Sequence, residues 1–348
     1  MNKRFLSALA IGAVVLSLGA CNKSSSSSGS TTEGNWIKKA SFAGAARAYA
    51  VSFTIGDSVA YVGSGQGAVP DDSYYTRRSD FWKFNPTSNS DYGGWTQVAS
   101  MDRGRYMASA FSIGAVGYVG LGYDDSTATS LTDFYAYDTE ADTWTTKTSF
   151  PGSARQQGVG FAINSKGYMG TGKNKGGTLY ADFYQYTPSS DSWSSITSYP
   201  GEKRYGAVSF TRNSIAYVVT GTNSSATTST DFFSFDGSDW TQLAQISNVS
   251  TDTYDDDYTT IVRTGAVAFV IGDYAYLATG NNLNTWAYNF STTYWEIRTP
   301  YQKSTRAGAV GFAIGSLGYV GTGSASGTYT DNFSAFDPSE TYDENDDQ

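Results

Sequence analysis

The stretch Arg204-Tyr205-Gly206-Ala207-Val208-Ser209-Phe210-Thr211-Arg212-Asn213-Ser214-Ile215-Ala216-Tyr217-Val218-Val219-Thr220-Gly221 decides how this chain folds. An arginine precedes a small, apolar run. A polar turn follows, and then a tyrosine-bearing run that ends on glycine. Further on, Asp231-Phe232-Phe233-Ser234-Phe235 has the aromatic composition of a strand, and another turn leads to Trp240. The same order recurs along the chain. The arginines are Arg47, Arg105, Arg155, Arg204, Arg263 and Arg306, and the tryptophans are Trp36, Trp95, Trp144, Trp193, Trp240 and Trp295. The tyrosine runs are Tyr61–Gly65, Tyr118–Gly122, Tyr168–Gly172, Tyr217–Gly221, Tyr276–Gly280 and Tyr319–Gly323. Each unit predicts four short strands separated by turns, so the chain is all-β and built from one repeated supersecondary unit.

A four-stranded unit of about 50 residues is the period of a propeller blade. The order of Arg, apolar strand, Tyr strand ending in Gly, Asp-aromatic strand such as Asp133-Phe134-Tyr135-Ala136-Tyr137, and Trp resembles the kelch repeat. The Gly-Gly pair of that repeat stands here as Gly-x-Gly at Gly63/Gly65, Gly120/Gly122, Gly170/Gly172 and Gly321/Gly323, while Gly221 and Gly280 stand without the first glycine. The resemblance covers Trp36 to Asp337 and implies a six-bladed kelch-type β-propeller. Trp36 has no unit before it, and the unit from Arg306 has no Trp after it. The strand from Trp36 to Ala40 is therefore expected to close the last blade, removing an exposed edge and tying down both termini.

Before the third strands stand Asp80, Asp133, Asp182 and Asp231, then Asn284 and Asn332. They are placed to pair with the six arginines. The alternative is that arginines of the ring reach a ligand at the channel mouth. The resemblance implies this because kelch propellers that bind acidic ligands use arginines at this position. Trp82 and Trp286 share a third-strand position and read as packing residues.

Two places break the repeat, and a rigid scaffold puts specificity in such loops. Gln66 to Ser79 is a long second-to-third-strand loop carrying Asp71, Asp72, Tyr74, Tyr75, Arg77 and Arg78. The spacing from Trp240 to Arg263 is 23 where the other units have 10 or 11, and the insertion contains Asp252, Tyr254, Asp255, Asp256, Asp257 and Tyr258. Both are expected on one face, as walls suited to a glycan or peptide. The aspartates also offer oxygen ligands for calcium, although their spacing matches no EF-hand loop.

At the other end of the chain, Lys3 and Arg4 precede an apolar run from Phe5 to Leu18, and Leu18-Gly19-Ala20-Cys21 follows. This segment is similar to a lipoprotein signal with its lipobox: residues 1–20 form the signal peptide and Cys21 is the lipidated residue. Residues 21–35, rich in serine, form a tether, residues 36–338 the propeller, and residues 339–348 a solvated acidic tail. Similarity to Gram-negative lipoproteins, with Asn22 after the cysteine, implies outer-membrane sorting in the cell envelope, facing either the periplasm or the surface.

Composition excludes several activities. The 348 residues include no histidine and a single cysteine, so His-ligated metals, disulfides and Ser-His-Asp or Cys-His catalysis are out of reach. A formal charge of −9, which becomes −11 once Lys3 and Arg4 are removed, argues against nucleic acid. Copper oxidases similar to galactose oxidase share the kelch fold but need histidine ligands and a Tyr-linked cysteine, and that chemistry is excluded. The sequence therefore predicts a monomeric, lipid-anchored module that binds an envelope protein or glycan, with no catalytic constellation and no cofactor. The alternative is a metal-independent sugar-modifying enzyme similar to the periplasmic sialic acid mutarotase.

Overall fold

A computed structural model describes residues 33–68, 76–248 and 257–345. The expected signal peptide, Cys21, most of the expected tether, Asp71, Asp72, Tyr74, Tyr75, Asp252, Tyr254, Asp255 and Asp256 lie outside the described residues. Among the described residues no helix is long and apolar enough to cross a membrane.

The body is a six-bladed β-propeller of four-stranded antiparallel sheets. The first blade runs from the inside outward as Val51–Ile55, Val59–Gly63, Phe81–Asn85 and Gly94–Val98. Blades two to five repeat that order, starting at Ser109, Val159, Val208 and Val267. The sixth blade takes Val310–Ile314, Leu317–Gly321 and Phe333–Asp337 from the C-terminal part and Asn35–Lys39 from the N-terminal part. Trp36 faces Phe336 across that last pairing, as the repeat count requires.

The tryptophans hold the blades together. The Trp95 indole N–H donates to Ala40 O, Trp144 to Ala99 O, Trp193 to Thr148 O, Trp240 to Thr197 O, and Trp36 to Thr299 O. Each acceptor follows the outer strand of the preceding blade, so five indoles act as clasps between neighbouring blades. Six residues after each tryptophan comes a buried side chain that seals the same seam: Phe42, Met101, Phe150, Tyr199, Ile246 and Tyr301.

The two glycines of Gly-x-Gly have different duties. The first makes room, because a methyl group at Gly63, Gly170 or Gly321 would overlap the ring of Phe81, Phe183 or Phe333. The second needs its backbone freedom. Gly65, Gly122, Gly172, Gly221, Gly280 and Gly323 all have φ between 83° and 102°. Val219 and Ala278 can therefore replace the first glycine in blades four and five, while the second stays glycine throughout.

Candidate functional site at the channel mouth

The six repeat arginines are 0–1% exposed and are used inside their own blades. Each donates from Nη1 to the carbonyl of the residue between the two glycine positions: Ser64, Leu121, Thr171, Thr220, Thr279 and Thr322, at 2.9–3.1 Å. Those six residues all lie at φ of 56–63°, an unusual region for β-branched threonine. The arginine thus pins a strained strand end.

Arg47 forms a two-pronged pair with Asp80 at 2.8 and 2.7 Å, Arg105 with Asp133 at 2.8 and 2.9 Å, and Arg155 with Asp182 at 2.6 and 2.8 Å. Arg204 pairs with Asp231. Arg306 reaches Asn332 Oδ1 at 2.6 Å. Among the described residues Arg263 takes only backbone carbonyls, those of Thr260, Ile261, Thr279 and Asn284, and burial pulls its pKa down to about 10. The structure therefore does not bring the ring of arginines to the channel, contrary to the ligand-contact expectation.

The channel wall is formed by alternate residues of the inner strands and encloses about 370 Å³. It carries Ser52, Thr54, Ser112, Ser209 and Thr211 among alanines and glycines, with Asp57 at one end. At the other end, two residues after each arginine, stand Tyr49, Met107, Gln157, Gly206, Gly265 and Gly308. All six have φ of 56–65°. This left-handed turn aims their N–H and C=O groups around the circumference. Tyr49 N donates to Gly308 O at 2.7 Å, Met107 N to Tyr49 O at 3.0 Å, Gln157 N to Met107 O at 2.8 Å, Gly206 N to Gln157 O at 3.0 Å, and Gly265 N to Gly206 O at 3.1 Å. Five links of a backbone belt thus rim the mouth. Bulky side chains stand on blades one to three and glycine on blades four to six.

Above the belt five partly exposed tyrosines gather: Tyr49, Tyr106, Tyr123, Tyr205 and Tyr329. The rings of Tyr106 and Tyr123 meet edge to face at 5.4 Å. Burial, reinforced by the nearby Tyr329 and Tyr205 hydroxyls, raises the pKa of Tyr49. Burial first, then Asp125, Tyr123 and Tyr329, pushes Tyr106 up to about 12. The Lys173 ammonium lies 3.6 Å from the centre of the Tyr205 ring. None of the five hydroxyls has a hydrogen-bond partner among the described residues. By contrast, the hydroxyls of Tyr137 and Tyr186 on the opposite face are bonded to Asp142 and Asp191 at 2.7 Å.

The long loop of blade one joins this mouth through charge. Arg77, a sequence candidate, contacts Asp124 at 3.0 Å and Asp125 at 3.3 Å, and Arg103 contacts Asp124 at 2.8 Å. Thr76 also donates from N and Oγ1 to Asp125. Arg77 therefore anchors the loop onto blade two. Arg78 pairs across to Arg105 of the connection into blade two, which puts loop and inter-blade connection on one face as expected. Tyr258 lies in the short helix Tyr258–Ile261 and packs against the cluster of Phe232, Ile246, Tyr288 and Trp295. It belongs to the blade seam, where the sequence had suggested a ligand-facing wall. Trp82 and Trp286 pack as expected, bonded to Asp80 and Thr260. Among the described residues no group of three or more acidic side chains could hold a metal ion.

Asp80, Asp124 and Asp133 all sit below the ordinary carboxylate value of 3.8. Burial alone would raise them, but it is outweighed by hydrogen bonds and charge from Arg47 at Asp80, from Ser126, Arg103 and Arg77 at Asp124, and from Arg105 and Arg103 at Asp133. A depressed folded-state pKa adds stability above 3.8 that disappears as pH falls through the folded values. The melting temperature is expected to stay level from pH 7 to 5 and to drop steeply below pH 3.8. A level profile down to pH 2 would refute the assignment.

The sequence reading missed the five mouth tyrosines. Tyr106 and Tyr205 directly follow repeat arginines, and Tyr123 directly follows a repeat glycine. A position beside a fixed anchor whose residue type changes from blade to blade is the signal that marks them.

No protein-family model matches the chain. No curated protein matches it either. Solved structures do match, among them that of YjhT, with 15% identity and a TM-score of 0.68, covering 86% of this chain and 96% of that one. At this identity the likeness speaks for the fold, and the chain shares with YjhT the architecture of a β-propeller.

Proposed function

We propose that this protein is a lipid-anchored envelope lipoprotein whose kelch-type propeller binds a glycan at the tyrosine-lined mouth. The observation that carries the reading is the convergence of five tyrosines whose hydroxyls have no partner among the described residues. Carbohydrate rings stack their apolar faces on aromatic rings and exchange hydrogen bonds at their edges, and a tyrosine supplies both. A concave, partly buried mouth suits a small polar ligand better than a flat protein surface does. Glycan-array binding with the mature protein tests it. Tyr106→Ala is expected to weaken binding about tenfold, and Tyr123→Phe by several-fold through the lost hydroxyl alone, with melting temperatures unchanged. Array binding that survives both substitutions would move the site elsewhere.

A second reading is a metal-independent sugar-modifying enzyme similar to the periplasmic sialic acid mutarotase. It is favoured by the placement of the Tyr106 hydroxyl close to the Asp124 and Asp125 carboxylates. Donor and carboxylate are the pair that ring opening and closure require. Accelerated anomer exchange of sialic acid, followed by NMR, supports it, and an unchanged rate rejects it.

A further inference from the structure

Arg78 stands apart from the other arginines outside the repeat positions. Arg77 and Arg103 pair with Asp124, Arg212 with Asp273, and Arg298 with Glu296. Arg78 has no carboxylate partner among the described residues. Its backbone is held on both sides: its N–H donates to Gly65 O at 2.8 Å, and its carbonyl accepts from Arg105 N at 3.0 Å. Its guanidinium lies over Gly67, where a Cβ would come within 2.9 Å of Nε and Nη2. The absence of a side chain there is what lets the fork sit down. Nη2 donates to Ala68 O at 2.5 Å, while Nε is buried and has no acceptor among the described residues.

This fork lines a cleft of about 430 Å³ between blades six and one, with Ala45, Ala46, Ala68, Gly327, Thr328 and Tyr329. Three alanines and a glycine leave the wall small and uncharged. Tyr329 belongs to the mouth cluster as well, so the cleft opens onto the proposed glycan site.

We propose that this cleft is an oxyanion subsite, in which Arg78 holds a carboxylate or phosphate carried by the saccharide bound at the mouth. A carboxylate or phosphate is acceptor-only and matches the outer end of the guanidinium, Nη1 and Nη2, with two parallel bonds, while Nε stays packed on Gly67. The chain carries a net negative charge, so no general attraction draws an anion here and recognition must be local. The inference rests on the reading of the tyrosine mouth as a glycan site.

The test measures affinity, by calorimetry, for three matched oligosaccharides ending in galactose, galacturonate or galactose 6-phosphate. Wild type is expected to bind at least one anionic probe about tenfold or more tightly than the neutral one, and the two anionic arms tell carboxylate from phosphate. Arg78→Gln is expected to abolish that preference while keeping neutral-probe affinity and the wild-type melting curve. Arg78→Lys keeps the charge without the fork and is expected to retain part of the preference. Tyr106→Ala weakens all three probes and leaves the preference intact. Equal binding of the three by wild type, or a preference that survives Arg78→Gln, overturns the oxyanion subsite and leaves the mouth reading standing. Absence of binding to any of the three overturns both.

Discussion

Removal of residues 31–41 is expected to lower the melting temperature by more than about 10 °C or to prevent folding altogether. The segment supplies the outer strand of blade six, so its loss strips a five-residue ladder from Phe333–Asp337. It also removes Trp36, which is 0% exposed, packs edge to face on Tyr301 at 4.8 Å, and donates to Thr299 O at 3.0 Å. Emptying a buried tryptophan site costs about 3–5 kcal/mol on its own. For a domain of this size each kcal/mol is worth roughly 2–4 °C. The ladder adds to this, because a propeller with one open seam regains the edge that closure abolishes. Trp36→Ala separates the two contributions, since it keeps the strand while losing the clasp, and is expected to lower the midpoint by about 10 °C. A truncated protein that melts with wild type would mean that the ring closes without this strand.

The scaffold was legible because its anchors are chemically singular. Trp36 and Trp95 must each be an indole, since a long ring carries a donor to the preceding blade at their position. Gly172 must be glycine because its backbone demands it. The site was less legible because it is built at positions that the scaffold leaves open. Tyr49, Met107, Gln157, Gly206, Gly265 and Gly308 share one backbone conformation and one hydrogen-bonded belt, yet they have four side-chain types among them. A belt formed by N–H and C=O groups leaves no side-chain pattern to read. The long loops drew the eye as violations of the repeat. Of their described candidates, Arg77 proved to be an anchor and Tyr258 a packing residue, whereas the tyrosines at the mouth sit in ordinary repeat positions. Repetition also hid the arginines' role: their Nη1 acceptor is a main-chain carbonyl at Ser64, Leu121 or Thr171, and residue identity does not record it.

The buried ion pair of blade four separates a structural arginine from a ligand-binding one. Arg204 is 0% exposed; it pairs with Asp231 and donates to Thr220 O at 2.9 Å and Glu202 O at 3.0 Å. Arg204→Met is expected to destabilise the protein by about 3–5 kcal/mol, because it leaves the buried Asp231 carboxylate without its counter-charge, with the Glu202 N–H at 2.8 Å and the Tyr199 hydroxyl at 3.4 Å as its remaining donors. Asp231→Asn should cost clearly less. Blades five and six already carry Asn284 and Asn332 at this place, and an amide oxygen still accepts from the guanidinium, as Asn332 does from Arg306. The double variant should fall between the two, since it removes the stranded charge but leaves the Thr220 and Glu202 carbonyls without their donor. Urea denaturation of the three variants reads this order directly. An Arg204 that served a ligand would behave the opposite way, with Arg204→Met losing glycan affinity at unchanged stability. A denaturation midpoint matching wild type would therefore move Arg204 out of the scaffold and back among the candidates for the site.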